Sequence, residues 1–405
     1  MKNYVKSYVP LRFAVPLFLL VLLFTIGSTV TVQASSSHAH ATWKIVPSAN
    51  SQQQYNQLGG VVALSEHDVW AVGSSQGYPS PMQALIEHWN GKAWSLVSAP
   101  VVGLGSLLNA IAPIPHSRQL WAVGTYVNSQ SKSYQTLIER WDGEQWSIVP
   151  SPFFKTDPEN TSNMFYSVSA LSRKNAWAVG VYDNGHGLMQ TALIEHWNGM
   201  QWQAIAAPTP PGSTISFLYG VLALSERDVW AVGTASVNGG GDVVLLDHWN
   251  GTSWSLVAAP NPGSIANVLN SVIRIPGTNQ LWAVGKALSG GAYQTLIERW
   301  DGKQWHVVAS PNPGMNDNNL QNVIAVDDDE AWAVGSDTSG NGDQPLIEHW
   351  NGTAWSLFAS PTPSDTVFLG AVTRIPKSRL LWAVGNYYAT VNNQFDEFTL
   401  TEKYG

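Results

Sequence analysis

Seven carboxylates recur at one place along the chain: Glu87, Glu139, Glu195, Asp247, Glu298, Glu348 and Glu402. Each is followed by a base: His88, Arg140, His196, His248, Arg299, His349 or Lys403. One such pair could move protons on a substrate. Seven equivalent pairs argue the reverse, because a catalytic site needs a single asymmetric cluster. Successive residues of a strand also point to opposite faces, so a neighbouring acid and base cannot meet. Each acid is therefore expected to accept a structural hydrogen bond between packed sheets. The tryptophans Trp70, Trp121, Trp177, Trp230, Trp282, Trp332 and Trp382 could stack on sugar rings. Their fixed place in every repeat points instead to packing, where each buries ~150–250 Å².

The remaining candidates are weaker. Asp68, Asn175, Asp228 and Glu330 share one turn position, and turn formation accounts for them. The run 327–330 (DDDE) lies in that turn and lacks the oxygen-ligand spacing of a dedicated calcium loop. His116, His186 and His306 fall in different repeats with no metal spacing, and His38 and His40 lie in a polar stretch. Asn160, Asn250 and Asn351 fit a glycosylation pattern, the last two already explained by a turn. No catalytic residue, metal or cofactor is expected. Charged residues are 12% of the 405, the net charge is −8, and no Lys/Arg run follows residue 40, so nucleic acid is not an expected partner. The absence of cysteine excludes disulfides, thiolate metal sites and thiol nucleophiles.

The elements that carry these residues repeat. Trp-Ala-Val-Gly occurs seven times, at spacings of 50 to 56 residues. Six copies are followed by Leu-Ile-Glu-His-Trp-Asn-Gly or a close variant, and by a further tryptophan five residues on; with Trp43 these positions account for all 20 tryptophans. One repeat reads as four strands of about five residues. In the first copy they are 60–64 (strand A), 69–73 (B), 84–89 (C) and 93–97 (D). Asn90-Gly91 between C and D suits a tight hairpin, since both residues tolerate positive φ. The seventh copy stops after strand C, with Tyr404 in the tryptophan place, while residues 41–48 (ATWKIVPS) match strand D. Two complementary halves of one repeat at the chain ends imply a closed ring.

The expected fold is therefore all-β: a seven-bladed β-propeller of four-stranded antiparallel blades, over residues 41–405. Blades are expected near 57–100, 105–150, 162–207, 217–260, 268–310, 319–360 and 367–404, the last completed by 41–48. Lys2, Lys6 and Arg12, the apolar stretch 13–32 and the small residues of Val32-Gln33-Ala34 make 1–34 a signal peptide, or an anchor if uncleaved, and 35–40 a linker. Either way the propeller is expected outside the cell or in its envelope.

The Val-Gly ending of strand B and the His-Trp-Asn-Gly turn with its later tryptophan resemble the kelch and galactose-oxidase type of propeller. This chain has one glycine where kelch has two, and tryptophan in place of the usual tyrosine. The resemblance implies the fold. Galactose oxidases use copper and a cysteine-linked tyrosine, and without cysteine that activity is not implied. The turn also resembles the aspartate-box hairpin of sialidase propellers, without its serine–aspartate core or a motif for the arginine triad.

In such a ring the B–C and D–A loops share one face. Here they vary in length and content, as at 74–82, 125–135, 181–190 and 386–395 (B–C) and at 153–163 and 209–216 (D–A). Function tends to sit on variable loops held by a rigid scaffold. Tyr78, Tyr126, Tyr134, Tyr182, Tyr293, Tyr387 and Tyr388 are the aromatic ligand candidates there. The leading expectation is a monomeric, non-enzymatic binding or scaffold module for an extracellular protein or glycan, touching the membrane only through an uncleaved N-terminus. The alternative is an extracellular carbohydrate-active lyase or hydrolase at the channel mouth, with Arg274 and Arg374 turned inward. A purely structural surface protein is a third reading.

Overall fold

The computed structural model describes residues 41–152, 162–183, 190–339 and 342–405. The signal or anchor segment 1–34, the linker 35–40 with His38 and His40, Asn160 and His186 lie outside the described residues.

Seven four-stranded antiparallel sheets form the blades of a β-propeller. Blade 1 is Tyr55–Ser65 (A), Asp68–Gln76 (B), Gln83–Trp89 (C) and Trp94–Val97 (D). Blade 7 takes its strands A, B and C from Val367–Arg374, Leu381–Val391 and Gln394–Tyr404, and its strand D from Trp43–Ile45. Trp43 pairs with Tyr404, as Trp94 pairs with Trp89 in blade 1, so the N-terminal strand occupies the register the repeat requires.

Apolar side chains on both faces of every blade explain why blades stack. The described core consists of seven clusters, each joining facing surfaces of two neighbouring blades. One joins Trp382 and Val384 of blade 7 to Leu85 and Trp89 of blade 1, which closes the ring.

Strands A, B and C run longer than the five residues expected. Strand A of blade 4 (Ser213–Ser225) has 13 residues, and strands B and C of blade 7 have 11 each. Pairing needs only backbone groups, so the B–C hairpins continue past the apolar core as polar ribbons. Blade 7 pairs out to Val391 and Gln394 around Asn392-Asn393, both with positive φ, the geometry of a two-residue hairpin turn. Much of what reads as loop in the sequence is therefore strand.

Each strand A also carries a one-residue irregularity against strand B, always at the same depth. The extra residue lies between Leu58 and Gly60 in blade 1 and between Leu218 and Gly220 in blade 4. The glycine of Trp-Ala-Val-Gly stands across from this bulge. A Cβ on Gly73 would overlap the carbonyl oxygen of Gln57, and one on Gly233 that of Phe217. The motif's glycine is thus what lets strand A bulge toward the axis.

Candidate functional site

The seven carboxylates are fully buried. Glu87 stands on strand C between Leu85 and Trp89 and faces blade 7, while His88 faces the other way. Three of the acids receive the expected bond from the preceding blade. Ser48 Oγ donates to Glu87 at 2.7 Å, Ser151 Oγ to Glu195 at 2.8 Å, and Ser360 Oγ to Glu402 at 3.1 Å. Glu139, Asp247, Glu298 and Glu348 have no hydrogen-bond partner for either oxygen among the described residues. The cause is local: alanines 99, 207 and 259 occupy the serine place, and Ser310 bonds Thr295 at 2.6 Å instead. Burial pushes each of these four carboxyl groups up to about 8, and Glu195 and Glu402 likewise. They are proton-bearing scaffold groups at neutral pH. Replacing Ala99 by Ser should give Glu139 the missing donor and stabilise the fold by about 1 kcal/mol. A higher melting temperature for Ala99→Ser, with no such gain for Ala99→Gly, is the expected result; a lower one would contradict this place for a donor.

The bases that follow the acids stack on tryptophans and do not meet the carboxylates they follow. His88, His196, His248 and His349 lie 4.2–4.4 Å from the rings of Trp70, Trp177, Trp230 and Trp332. Arg140, Arg299 and Lys403 lie over Trp121, Trp282 and Trp382 at 5.2, 5.0 and 5.8 Å. The A–B turn residues hold these stacks. Asp68 accepts from Trp70 Nε1 at 2.8 Å and bonds His88 at 2.9 Å, and Asp228 does the same for Trp230 and His248. Asn175 meets His196 at 3.1 Å, and Glu330 accepts from Trp332 at 3.2 Å. Their role therefore extends beyond shaping the turn.

Three of the four acids in the run 327–330 are spent on ion pairs: Arg379 with Asp327 and Glu330, both at 3.0 Å, and Arg299 with Asp328 at 2.8 Å. Among the described residues no group of His, Asp or Glu is arranged to hold a metal. Arg274 and Arg374 do not turn into the channel. Arg274 donates to the carbonyl of Thr278, and Arg374 to those of Ser378 and Val326. Both guanidinium groups staple A–B turns, where carbonyls left by the tight turn need donors. His306 pairs with Asp301 at 2.8 Å.

The seven tyrosines do not form one site, and most are not in loops. Only Tyr78 sits in a connection between strands. Tyr182 packs on the core between blades 2 and 3, and Tyr293 lies under Lys286 at 4.3 Å. Tyr387 stacks on Phe398 and Tyr388 on Phe395 within the blade 7 hairpin. Tyr126 and Tyr134 come together in a cavity of about 420 Å³ between blades 1 and 2, with Pro81, Met82, Leu104 and Leu107. Tyr78 and Val101 lie in the connections of the same two blades, 86% and 85% exposed.

The larger cavity, about 570 Å³, is the central channel. Its described wall is made of strands A and carries no Asp, Glu, His, Lys or Arg. The bulge residues project here, and they differ from blade to blade: Gly59, Asn109, Tyr166 and Tyr219 in blades 1 to 4. Asn270, Gln321 and Gly370 follow in blades 5 to 7. Tyr166 and Tyr219 meet at 5.1 Å, and Phe217 stacks on Tyr219 at 5.7 Å. Burial raises both phenols above their ordinary value, and for Tyr219 the nearby Tyr166 and Asp242 add to the effect. Sequence reasoning misses these residues. Their signal lies in the column of seven strands A, where a leucine-like position is followed by Gly, Asn, Tyr, Tyr, Asn, Gln and Gly in blades 1 to 7.

No family model and no curated protein matches the chain. Solved structures do. "YCF48 bound to D1 peptide" aligns with a TM-score of 0.52 at 12% identity, over 89% of this chain and 96% of that one. A polysaccharide lyase of family PL25, an ulvan lyase bound to a glucuronate–rhamnose-3-sulfate unit, aligns with a TM-score of 0.51 at 12% identity, over 86% and 93%. At that identity the likeness speaks to the fold: the chain is a seven-bladed β-propeller. The two similar structures hold a peptide and a polysaccharide, so the fold by itself serves both binding and catalysis.

Proposed function

We propose that the chain is an exported, non-enzymatic binding propeller that holds a segment of another protein on its B–C/D–A face, and that its repeat is a divergent relative of the kelch type. The observation that carries the reading is the cavity between blades 1 and 2. Tyr126, Tyr134, Met82, Leu104 and Pro81 line it, and Tyr78 and Val101 are exposed in the connections of the same two blades. Exposed apolar surface around a cavity favours an apolar side chain as anchor, and that suits a polypeptide better than a hydroxyl-covered sugar. The enzyme alternative needs converging acids or cations at the channel mouth. Arg274 and Arg374 are engaged elsewhere and the described channel wall is neutral, which favours binding.

The test is selection from a displayed random-peptide library. Enriched peptides should share an apolar or aromatic residue and bind saturably. Leu104→Asp and Tyr134→Ala should each weaken them at least about tenfold, about 1.4 kcal/mol. Met200→Asp, at an exposed C–D turn on the opposite face, should leave them unchanged. No saturable peptide, or equal binding by all variants, would overturn the reading.

A further inference from the structure

The central channel has a chemistry different from that of the apolar pocket. We propose that it is a second ligand site, built to take a short neutral saccharide against Tyr166 and Tyr219.

A bulged residue is left out of the ladder, so its side chain is free to be chosen without cost to the sheet. Seven blades offer seven such positions at one depth of the channel. Blade order places Tyr166 and Tyr219 side by side, and it places Gly370 beside Gly59 across the axis from them. That adjacency is direct: a Cβ on Gly370 would lie 3.5 Å from the Cα of Gly59. The result is a channel with an aromatic wall on one side and bare backbone on the other. Amides flank the aromatic wall. Asn109 uses its Nδ2 on the carbonyl of Phe165 at 2.7 Å, and Asn270 uses its Nδ2 on the carbonyl of Leu320 at 2.8 Å. Both are thereby fixed in place. Gln321 is exposed to the channel space.

Charge decides the class of ligand. The described wall offers no cation to a uronate or sulfate and no anion to an amine. Asp242, the charge acting on Tyr219, belongs to the start of strand C and is not part of the wall. Both phenols stay protonated, so each is a donor as well as an acceptor. A ligand that matches neutral donors and acceptors beside an aromatic face has many hydroxyls and an apolar C–H face, which describes a pyranose. The volume of about 570 Å³ falls within the usual range for small-ligand sites, about 300–1,000 Å³. A seven-bladed ring has a wide axis, and tyrosines that only filled it would be expected around the whole circumference. Here they occupy one side, opposite two glycines.

The experiment is ligand-observed NMR on the exported chain, with four neutral probes (cellotetraose, maltotetraose, xylotetraose and mannotetraose) and two anionic ones (a sulfated and a uronate oligosaccharide). At least one neutral probe should give saturable transfer, and the anionic probes should give at least tenfold less. Tyr166→Phe with Tyr219→Phe keeps the rings and should weaken binding about threefold or more. Tyr219→Ala should abolish it, judged only if its melting temperature shows a folded propeller, and Gln321→Ala provides a variant with little risk to the core. Leu104→Asp, the variant that should destroy peptide binding, should leave the sugar signal intact, so failure of either proposal is visible without the other. Saturation by no neutral probe, equal saturation by anionic ones, or indifference to the tyrosine and glutamine variants would each overturn the channel site.

Discussion

Deleting residues 41–48 is expected to lower the melting temperature of the propeller by about 10 °C or more. The strand that this removes is the outer strand of blade 7, paired Trp43 to Tyr404, Lys44 to Lys403 and Ile45 to Glu402. Trp43 is buried and lies 5.8 Å from Trp332 of blade 6 and 5.5 Å from Tyr404. Truncating a buried tryptophan alone costs about 3–5 kcal/mol. The deletion also takes the Thr401 Oγ1 bond to the carbonyl of Val46, the Thr399 bond to Ser48, and the Ser48 bond to buried Glu87. That last loss reaches blade 1, on the far side of the seam, so both neighbours of the closure suffer. A change of a few kcal/mol moves the melting temperature of a chain this size by about 2–4 °C per kcal/mol or somewhat less. A synthetic peptide of residues 41–48, added in excess, should recover part of the loss by re-adding the strand to the exposed edge of strand C. An unchanged melting temperature on deletion would contradict closure by this strand.

What makes the ring legible is that the residues which specify it are the ones that repeat. Trp-Ala-Val-Gly marks strand B because its apolar residues pack on two blades and its glycine must face a bulge. Glu-His-Trp-Asn-Gly marks strand C because the acid takes a buried place between blades, the base stacks on the strand B tryptophan, and the tryptophan packs on a neighbouring blade. Tyr404 and Trp43 are assignable to one blade from the repeat alone, since each fills a gap in that pattern. Strand ends are not legible in the same way. Residues 386–395 differ from the other B–C segments and read as a loop, yet they form a paired hairpin, because pairing beyond the core is a backbone property. The channel wall is hidden for the opposite reason. Tyr166, Tyr219, Asn109 and Gln321 sit where a strand carries one residue more than its partner, and no alternation of side chains announces that. The repeat speaks for everything it constrains. The residues it leaves free, such as those that follow the leucine-like position of strand A, carry no such mark.

The second large effect should appear on raising pH. Glu139, Glu195, Asp247, Glu298, Glu348 and Glu402 are all pushed up to about 8 by burial, from 4.5 for the glutamates and 3.8 for the aspartate. Between those values the folded chain holds protons that the unfolded chain has released. Unfolding therefore grows more favourable as pH rises through that window. Stability from these groups is complete below the unfolded values and lost as pH passes the folded ones. Each acid that stays protonated contributes a slope of about 1.4 kcal/mol per pH unit. His196 and His349 work in the opposite sense near and below their ordinary 6.5, because burial lowers both, so the acids are best read above that pH. The melting temperature should fall steadily from pH 6.5 to 9. Total stabilities are only about 5–15 kcal/mol, so even two or three acids acting together should produce a loss that is easily measured. Glu139→Gln, Glu298→Gln and Glu348→Gln remove a titrating proton without changing shape, and each should flatten the slope in proportion. Ala99→Ser should flatten it too, since a hydroxyl donor lowers the cost of ionising Glu139. A flat profile, or glutamine variants with the wild-type slope, would mean that the acids are not held as neutral groups inside the blades.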